Sequence, residues 1–241
     1  MIEGEARIPS DPAYEVFRIV SGSWRENCYV VVSRSSRNGL IIDPGSAVEQ
    51  IWSKLREQQV KTLGILLSHA HYDHVDGLST IRDRTRAPVY LHKADAPLLR
   101  SANAYALGWR LPIIKIPAAD VLLKGDETLE FQDLTVSVLH LPGHSPGSVA
   151  YAIGRMLFVG DTVLPRDVGR VDLPGGNRKA LLCSVRRIIA CMTEQSTLYP
   201  GHWEPVDLRC LLENNEQVRR CLEDRGSAEE VQESPPGPGV A

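Results

Sequence analysis

Apolar positions along this chain fall first into short strand-like runs and later into helical stripes. EVFRIV (15–20), CYVVVS (28–33) and GLIID (39–43) are rich in Val and Ile and are separated by Ser, Gly and Asn. Asp43-Pro44-Gly45 ends the third run with a turn signal. Residues 47–59 then set Val48, Ile51, Trp52 and Leu55 at helical spacing. TLGILLS (62–68) is apolar without alternation, as in a strand buried on both faces. GLSTIRDR (77–84) predicts a short helix and PVYLH (88–92) a further strand. Residues 101–120 show no clean period and are expected to form a long connection that includes a helical turn. Such connections in compact domains are often functional.

Strand patterns return at TLEF (128–131), LTVSVLH (134–140), SVAYAI (148–153) and MLFVG (156–160). ALLCSVRRIIACM (180–192) places Leu181, Leu182, Val185, Ile188, Ile189 and Met192 on one stripe, and residues 209–225 predict a second helix of this kind. Strand groups followed by helices, twice over, predict an α/β fold with two sheets and helices outside them. Residues 13–225 read as one domain, with a loose N-terminus (1–12) and a disordered tail (226–241) rich in Pro, Gly and Glu.

Composition narrows the partners. The chain has 241 residues and a net charge of −3, so nothing suggests a nucleic-acid footprint or an anionic membrane surface. Its apolar runs are too short to cross a bilayer, and the acidic N-terminus lacks the apolar core of a secretory signal. The five cysteines are scattered and form no CxxC pair, which predicts reduced thiols in a cytoplasmic protein.

Histidine is scarce, at seven residues, yet three lie in SHAHYDHVDG (68–77) with an aspartate between them. His69 and His71 follow a buried strand run. Residues two apart in extended backbone point the same way, so both rings can meet one metal ion. Asp73 and His74 lie where the chain must turn and face a slightly different point. Imidazole and carboxylate suit zinc, iron or manganese. Three later loops supply more donors of the same kind: His144 in HLPGHSPGS (140–148), Asp161 in LFVGDT (157–162) and His202 in LYPGHWEP (198–205). Each follows a strand run and sits in or beside a tight turn, where sites on rigid scaffolds usually lie.

The order HxHxDH, PGHSPGS, GDT and PGH resembles the metallo-β-lactamase fold superfamily of metal-dependent hydrolases, over about residues 15–205. GDT followed by DVGRVDLPGG (167–176) is similar to its glyoxalase II-like branch. The resemblance implies a four-layer αββα sandwich of two mixed sheets flanked by helices, with the site at one sheet edge. It implies two divalent metal ions, zinc first and iron or manganese as the alternatives. His69, His71 and His144 would hold the first, Asp73, His74 and His202 the second, and Asp161 would bridge them. Typical β-lactamases of the superfamily lack that bridging aspartate. Asp43 corresponds to a carboxylate that fixes the tautomer of a ligating histidine, or else it only forms the turn. Arg170 and Asp172 form a structural ion pair near the site or contact an anionic substrate, with the ion pair favoured.

By the same resemblance, two metals would activate a shared water that attacks a carbonyl carbon, with Asp73 also orienting the hydroxide. A thiolate leaves without a proton donor, so a thioester of the hydroxyacylglutathione type, or a related acyl-thioester, is the expected substrate. No GxSxG nucleophile motif occurs. The resemblance thins after His202. Glyoxalase II enzymes carry a C-terminal helical domain that helps bind glutathione, whereas residues 203–225 leave room for one helix. Trp203 stands where many short relatives have Gly, and either lines an acyl pocket or packs. Tyr105, Trp109 and Ile113 mark 101–120 as a candidate substrate-covering segment. Rival activities on the same scaffold are persulfide oxidation at a single iron, ester or lactone hydrolysis, and cleavage of carrier-protein thioesters.

Overall fold

In the second strand every residue is buried, and alternation sends its side chains into two different cores. Cys28, Val30 and Val32 enter one apolar cluster, whereas Tyr29 and Val31 enter another. A sheet built from such strands must be covered on both faces. The computed structural model describes residues 11–108 and 110–223.

The first half of the chain runs β1 (Tyr14–Ser21), β2 (Glu26–Ser33), β3 (Asn38–Ile42), α1 (Val48–Glu57), β4 (Lys61–Leu66), α2 (Tyr72–Val75), α3 (Leu78–Thr85), β5 (Val89–His92), α4 (Ala96–Gly108) and β6 (Val121–Leu123). Its strands form a sheet in the order β1-β2-β3-β4-β5-β6, antiparallel up to β3 and parallel beyond. The second half runs β7 (Glu127–Phe131), β8 (Leu134–His140), β9 (Val149–Ile153), β10 (Met156–Gly160), α5 (Arg178–Cys191), β11 (Thr197–Pro200), β12 (Val206–Asp207), α6 (Leu208–Asn214) and α7 (Glu216–Glu223). Its sheet has the order β12-β11-β10-β9-β8-β7, with only β10 and β11 parallel.

Three apolar layers hold this arrangement. Ile51 and Leu55 of α1, Leu78 and Ile81 of α3, and Leu98, Leu99 and Ala102 of α4 cover the outer face of the first sheet. Tyr29, Leu40, Leu66, Val136, Tyr151 and Phe158 are among the residues that fill the space between the sheets. Leu181, Val185 and Ile188 of α5, Leu211 of α6 and Val218 of α7 cover the second sheet from outside. Each such buried aliphatic side chain contributes about 1.5–3 kcal/mol. The result is the expected αββα sandwich of two mixed sheets.

Two expectations fail locally. Residues 101–108 belong to the helix Ala96–Gly108 where a connection with a helical turn was expected, and residues 111–119 are irregular. The helix expected over 209–225 is broken at Asn215. That side chain is fully buried, donates to the carbonyls of Leu164 (2.8 Å) and Asp167 (2.7 Å), and accepts from the Val218 amide at 2.9 Å. Its backbone (φ −111°, ψ 97°) leaves the helix to do so. The short strands β6 and β12 were not anticipated. The expected disordered tail and most of the expected loose N-terminus lie outside the described residues. No described helix is long and apolar enough to cross a membrane.

Candidate metal centre

The sheets are tied together at one edge. The Val149 amide donates to the Ser68 carbonyl at 2.8 Å, and the Tyr151 hydroxyl donates to the Leu67 carbonyl at 2.8 Å. The loop after β4 carries His69 and His71 to this edge, and α2 turns Asp73 and His74 toward the same space. From the second sheet, the loops after β8, β10 and β11 bring His144, Asp161 and His202. Glycine makes two of these turns possible. Gly160, at φ +51°, lets the chain reverse before Asp161. At Gly201 a Cβ would stand 2.1 Å from Asp161 Oδ1 and 2.8 Å from His74 Cε1, so the PGH turn has no room for a side chain.

The donors converge in two sets. His69, His71 and His144 offer nitrogens within 4.8 Å of one another, and so do donor atoms of Asp73, His74 and His202. His144 Nε2 stands 2.8 Å from His71 Nδ1 and 3.2 Å from His69 Nε2. Nitrogens bound to one tetrahedral zinc stand about 3.3 Å apart. Asp161 spans both sets, with Oδ1 3.5 Å from His74 Nε2 and Oδ2 3.4 Å from His202 Nε2 and 3.7 Å from His144 Nε2. His74 Nε2 and Asp161 Oδ1 are buried and have no hydrogen-bond partner. Buried polar atoms are normally satisfied, and a cation between the two sets would satisfy both. A third triple, Asp43 with His69 and His74, also lies within ligand range. The Asp43 carboxylate, however, is already held by other donors.

Electrostatics divide the two sets. Burial and the neighbouring histidines hold His69 well below its usual range, and burial together with His144 pushes His71 down to about 3. These rings offer neutral lone pairs at pH 7. Burial also works against charge on His74 and His202, but carboxylates outweigh it. Asp73 and Asp161 raise His74, and Asp161 leads the groups that push His202 up to about 10. A cation entering the second set therefore displaces protons.

Hydrogen bonds behind the rings fix their orientation. Asp43 Oδ2 faces His74 Nδ1 at 3.0 Å and accepts the Ser68 hydroxyl at 2.5 Å, while Oδ1 accepts the Ser68 amide at 2.7 Å. Asp43 thus directs His74 Nε2 into the site and does more than turn the chain, with its own backbone at φ +50°. His144 Nδ1 faces the Arg170 carbonyl (2.9 Å) and His202 Nδ1 the Trp24 carbonyl (3.0 Å). Asp95, which sequence reasoning missed, is fully buried and accepts from Ala70 N (3.0 Å), Ser145 Oγ (2.7 Å) and Gly147 N (2.6 Å). It joins the loop of His69 and His71 to that of His144.

The donors open into a cavity of about 410 Å³ with apolar walls that include Tyr72, Leu111, Leu164 and Leu173. Arg170 lines it but is paired through both arms with Asp172, at 2.7 and 2.6 Å. Trp203 is 61 % exposed and stands on the cavity rim. Ala106 and Leu111 bring part of 101–120 to the cavity wall, and the Tyr72 hydroxyl anchors this segment by donating to the Pro112 carbonyl at 2.8 Å. Ile113 is exposed and does not line the cavity. Tyr105 lies in α4, but its side chain, like all of Trp109, falls outside the described residues.

A histidine–carboxylate centre at the edge of an αββα sandwich defines a class of metalloproteins. Residues 22–202 match the Metallo-beta-lactamase superfamily, and the chain belongs to it. It is 33 % identical over 194 residues to the probable metallo-hydrolase YqgX of Bacillus subtilis (strain 168), covering 79 % of this chain and 91 % of YqgX. Among solved structures it is similar to the BLEG-1 B3 metallo-beta-lactamase (TM-score 0.79, 33 % identity, 85 % of this chain and 99 % of that one). It is also similar to TTHA1623, solved in a di-iron-bound form (TM-score 0.76, 36 % identity, 83 % and 99 %).

Proposed function

We propose that this chain is a metal-dependent hydrolase that cleaves a thioester, of the hydroxyacylglutathione type or a related acyl-thioester. The observation that carries this reading is Asp161, one carboxylate that reaches histidines of both donor sets. Two divalent cations bound there would supply an activated water at neutral pH and an electrophilic pull on the acyl oxygen. Zinc suits the donors, as do iron and manganese, and TTHA1623 binds iron in pairs.

The chain's own residues favour a good leaving group. Beyond the five donors that reach it, the titratable side chains lining the cavity among the described residues are Tyr72, Asp167 and Arg170. The Tyr72 hydroxyl is engaged by Pro112, Arg170 is paired with Asp172, and Asp167 Oδ1 accepts from the Val168 amide. Among the described residues no side chain is thus poised to protonate a departing amine or alkoxide, and a thiolate needs no such donor. Asp73, 3.4 Å from His202 Nε2, would orient the attacking water. None of the five cysteines forms a disulfide, which supports a reducing, cytoplasmic setting. This reading calls for a small-molecule or carrier-bound thioester and for no nucleic acid or membrane.

Similarity to BLEG-1 favours β-lactam hydrolysis as the second reading. One experiment separates the two. Metal-loaded protein is given S-lactoylglutathione or a chromogenic cephalosporin, with free thiol and ring opening followed in parallel. Rapid thiol release that stops with a chelator is expected. Ring opening without thiol release would replace the thioester reading.

A further inference from the structure

Behind His202 lies a second and larger cavity, of about 610 Å³. It shares only Trp24, His202 and Trp203 with the metal cavity. His202 borders both, its Nε2 turned toward Asp73 and Asp161 and its Nδ1 toward the Trp24 carbonyl. Where the charged groups of the metal cavity are chiefly carboxylates, those of this one are chiefly guanidinium groups. Arg18, Arg25 and Arg166 line it, and Glu204 is the only acidic residue that does.

Arg18 and Glu204 form an ion pair, so these two charges cancel. Arg25 and Arg166 have no ion pair and no side-chain hydrogen bond among the described residues. They stand far apart in sequence and meet only through the fold, so no basic run announces them. A guanidinium stays charged at every physiological pH and presents a planar fork of donors that matches carboxylate and phosphate oxygens.

The cavity wall is built and cross-tied. Arg25 (φ +56°) and Trp203 (φ +65°) both hold a backbone conformation that side chains other than glycine rarely adopt. The Trp203 carbonyl accepts from Arg18 Nη1 at 3.0 Å and from Asn27 Nδ2 at 2.6 Å. The Asn27 amide donates to the Gly201 carbonyl at 2.7 Å. These bonds lock strands β1 and β2 onto the loop that carries His202.

We propose that this second cavity is a subsite for an anionic part of the substrate, a carboxylate or a phosphate, held by Arg25 and Arg166 while the scissile bond lies across His202 in the metal cavity. The proposal rests on the hydrolytic reading of the metal centre and adds the charge of the group remote from the bond that breaks.

The test holds the acyl group constant and varies the thiol. Acetyl thioesters of N-acetylcysteamine (neutral), glutathione (carboxylates) and coenzyme A (phosphates) are compared on wild type, Arg25→Gln, Arg166→Gln and the double variant. Calorimetric binding of S-methylglutathione and coenzyme A is measured alongside, independent of turnover. At least one anionic thioester should be preferred over the neutral one by about tenfold or more, mainly through KM. The preference should shrink with added salt and fall to about twofold or less in the double variant. Which anion is preferred names the carboxylate or the phosphate source. Equal use of all three thioesters, or a preference that survives both substitutions, overturns the subsite and leaves the hydrolase reading in place. If no thioester is cleaved but an anionic thiol binds wild type and not the double variant, the subsite stands and the thioester reading falls.

Discussion

Asp161 and His202 occupy unequal places in the centre. Asp161 reaches both donor sets, whereas His202 Nε2 faces Asp73 and Asp161 and belongs to the second set. Asp161→Asn replaces one acceptor oxygen with a donor and removes the charge that would bridge two cations. Bound metal should fall for both sets and turnover by about a thousandfold or more. His202→Ala should deplete one metal per chain and spare the other. Elemental analysis of dialysed variants reads this directly. Two metals retained in Asp161→Asn would remove the bridging role, and loss of both in His202→Ala would undo the division into sets. At this scale the donors were legible because His and Asp crowd into HxHxDH and recur after strand runs. Their supports were not. Trp24 and Arg170 act through backbone carbonyls, which leave no mark in residue identity, and Asp95 sits in LHKADAP with nothing near it to advertise a role.

The metal loops are elements only because something holds them in register, and Asp95 is that link. It follows β5 in the first sheet yet accepts hydrogen bonds from the loops on either side of the site. Asp95→Ala would leave the buried amides of Ala70 and Gly147 without an acceptor, each at a cost of about 1–3 kcal/mol, and the Ser145 hydroxyl with only that of Ser148. A loss of about 3–5 kcal/mol in unfolding free energy is expected, together with weaker metal retention. Asp95→Asn, which keeps one acceptor oxygen, should lie between. Denaturant midpoints and metal content after dialysis check both effects, and a stable Asp95→Ala that keeps its metals would make the link dispensable. Elements with long Val- and Ile-rich runs were readable from pattern. Helix α4 was not, because it meets the core partly through Ala102 and Ala106, small residues that barely raise an apolar period. The break at Asn215 was also hidden, since it depends on carbonyls about fifty positions earlier in the chain.

The whole molecule is two sheet-and-helix halves, and the donors divide between them. His69, His71, Asp73 and His74 belong to the first half, His144, Asp161 and His202 to the second. The four layers were legible because unbroken apolar strands demand cover on both faces. The cationic cavity was not, because the turn at 22–25, the loop at 165–166 and the loop after His202 meet only once the halves are assembled. Each donor set draws on both halves, so a bound cation would staple the sandwich across its open edge. A ligand that binds only the folded chain stabilises it by about 4 kcal/mol at a thousandfold excess over its Kd. For a chain of this length, each kcal/mol shifts the melting temperature by about 2–4 °C. Removing the metals should therefore lower Tm by about 8–16 °C in scanning calorimetry, and readdition should restore it. The transition should stay single throughout, because the layer between the sheets, with Tyr29, Leu66 and Phe158, couples the halves whether or not the edge is stapled. An unchanged Tm after chelation would show that the edge is held by its backbone bonds alone. Two separate transitions would mean that the cation, and not the apolar layer, makes the halves one cooperative unit.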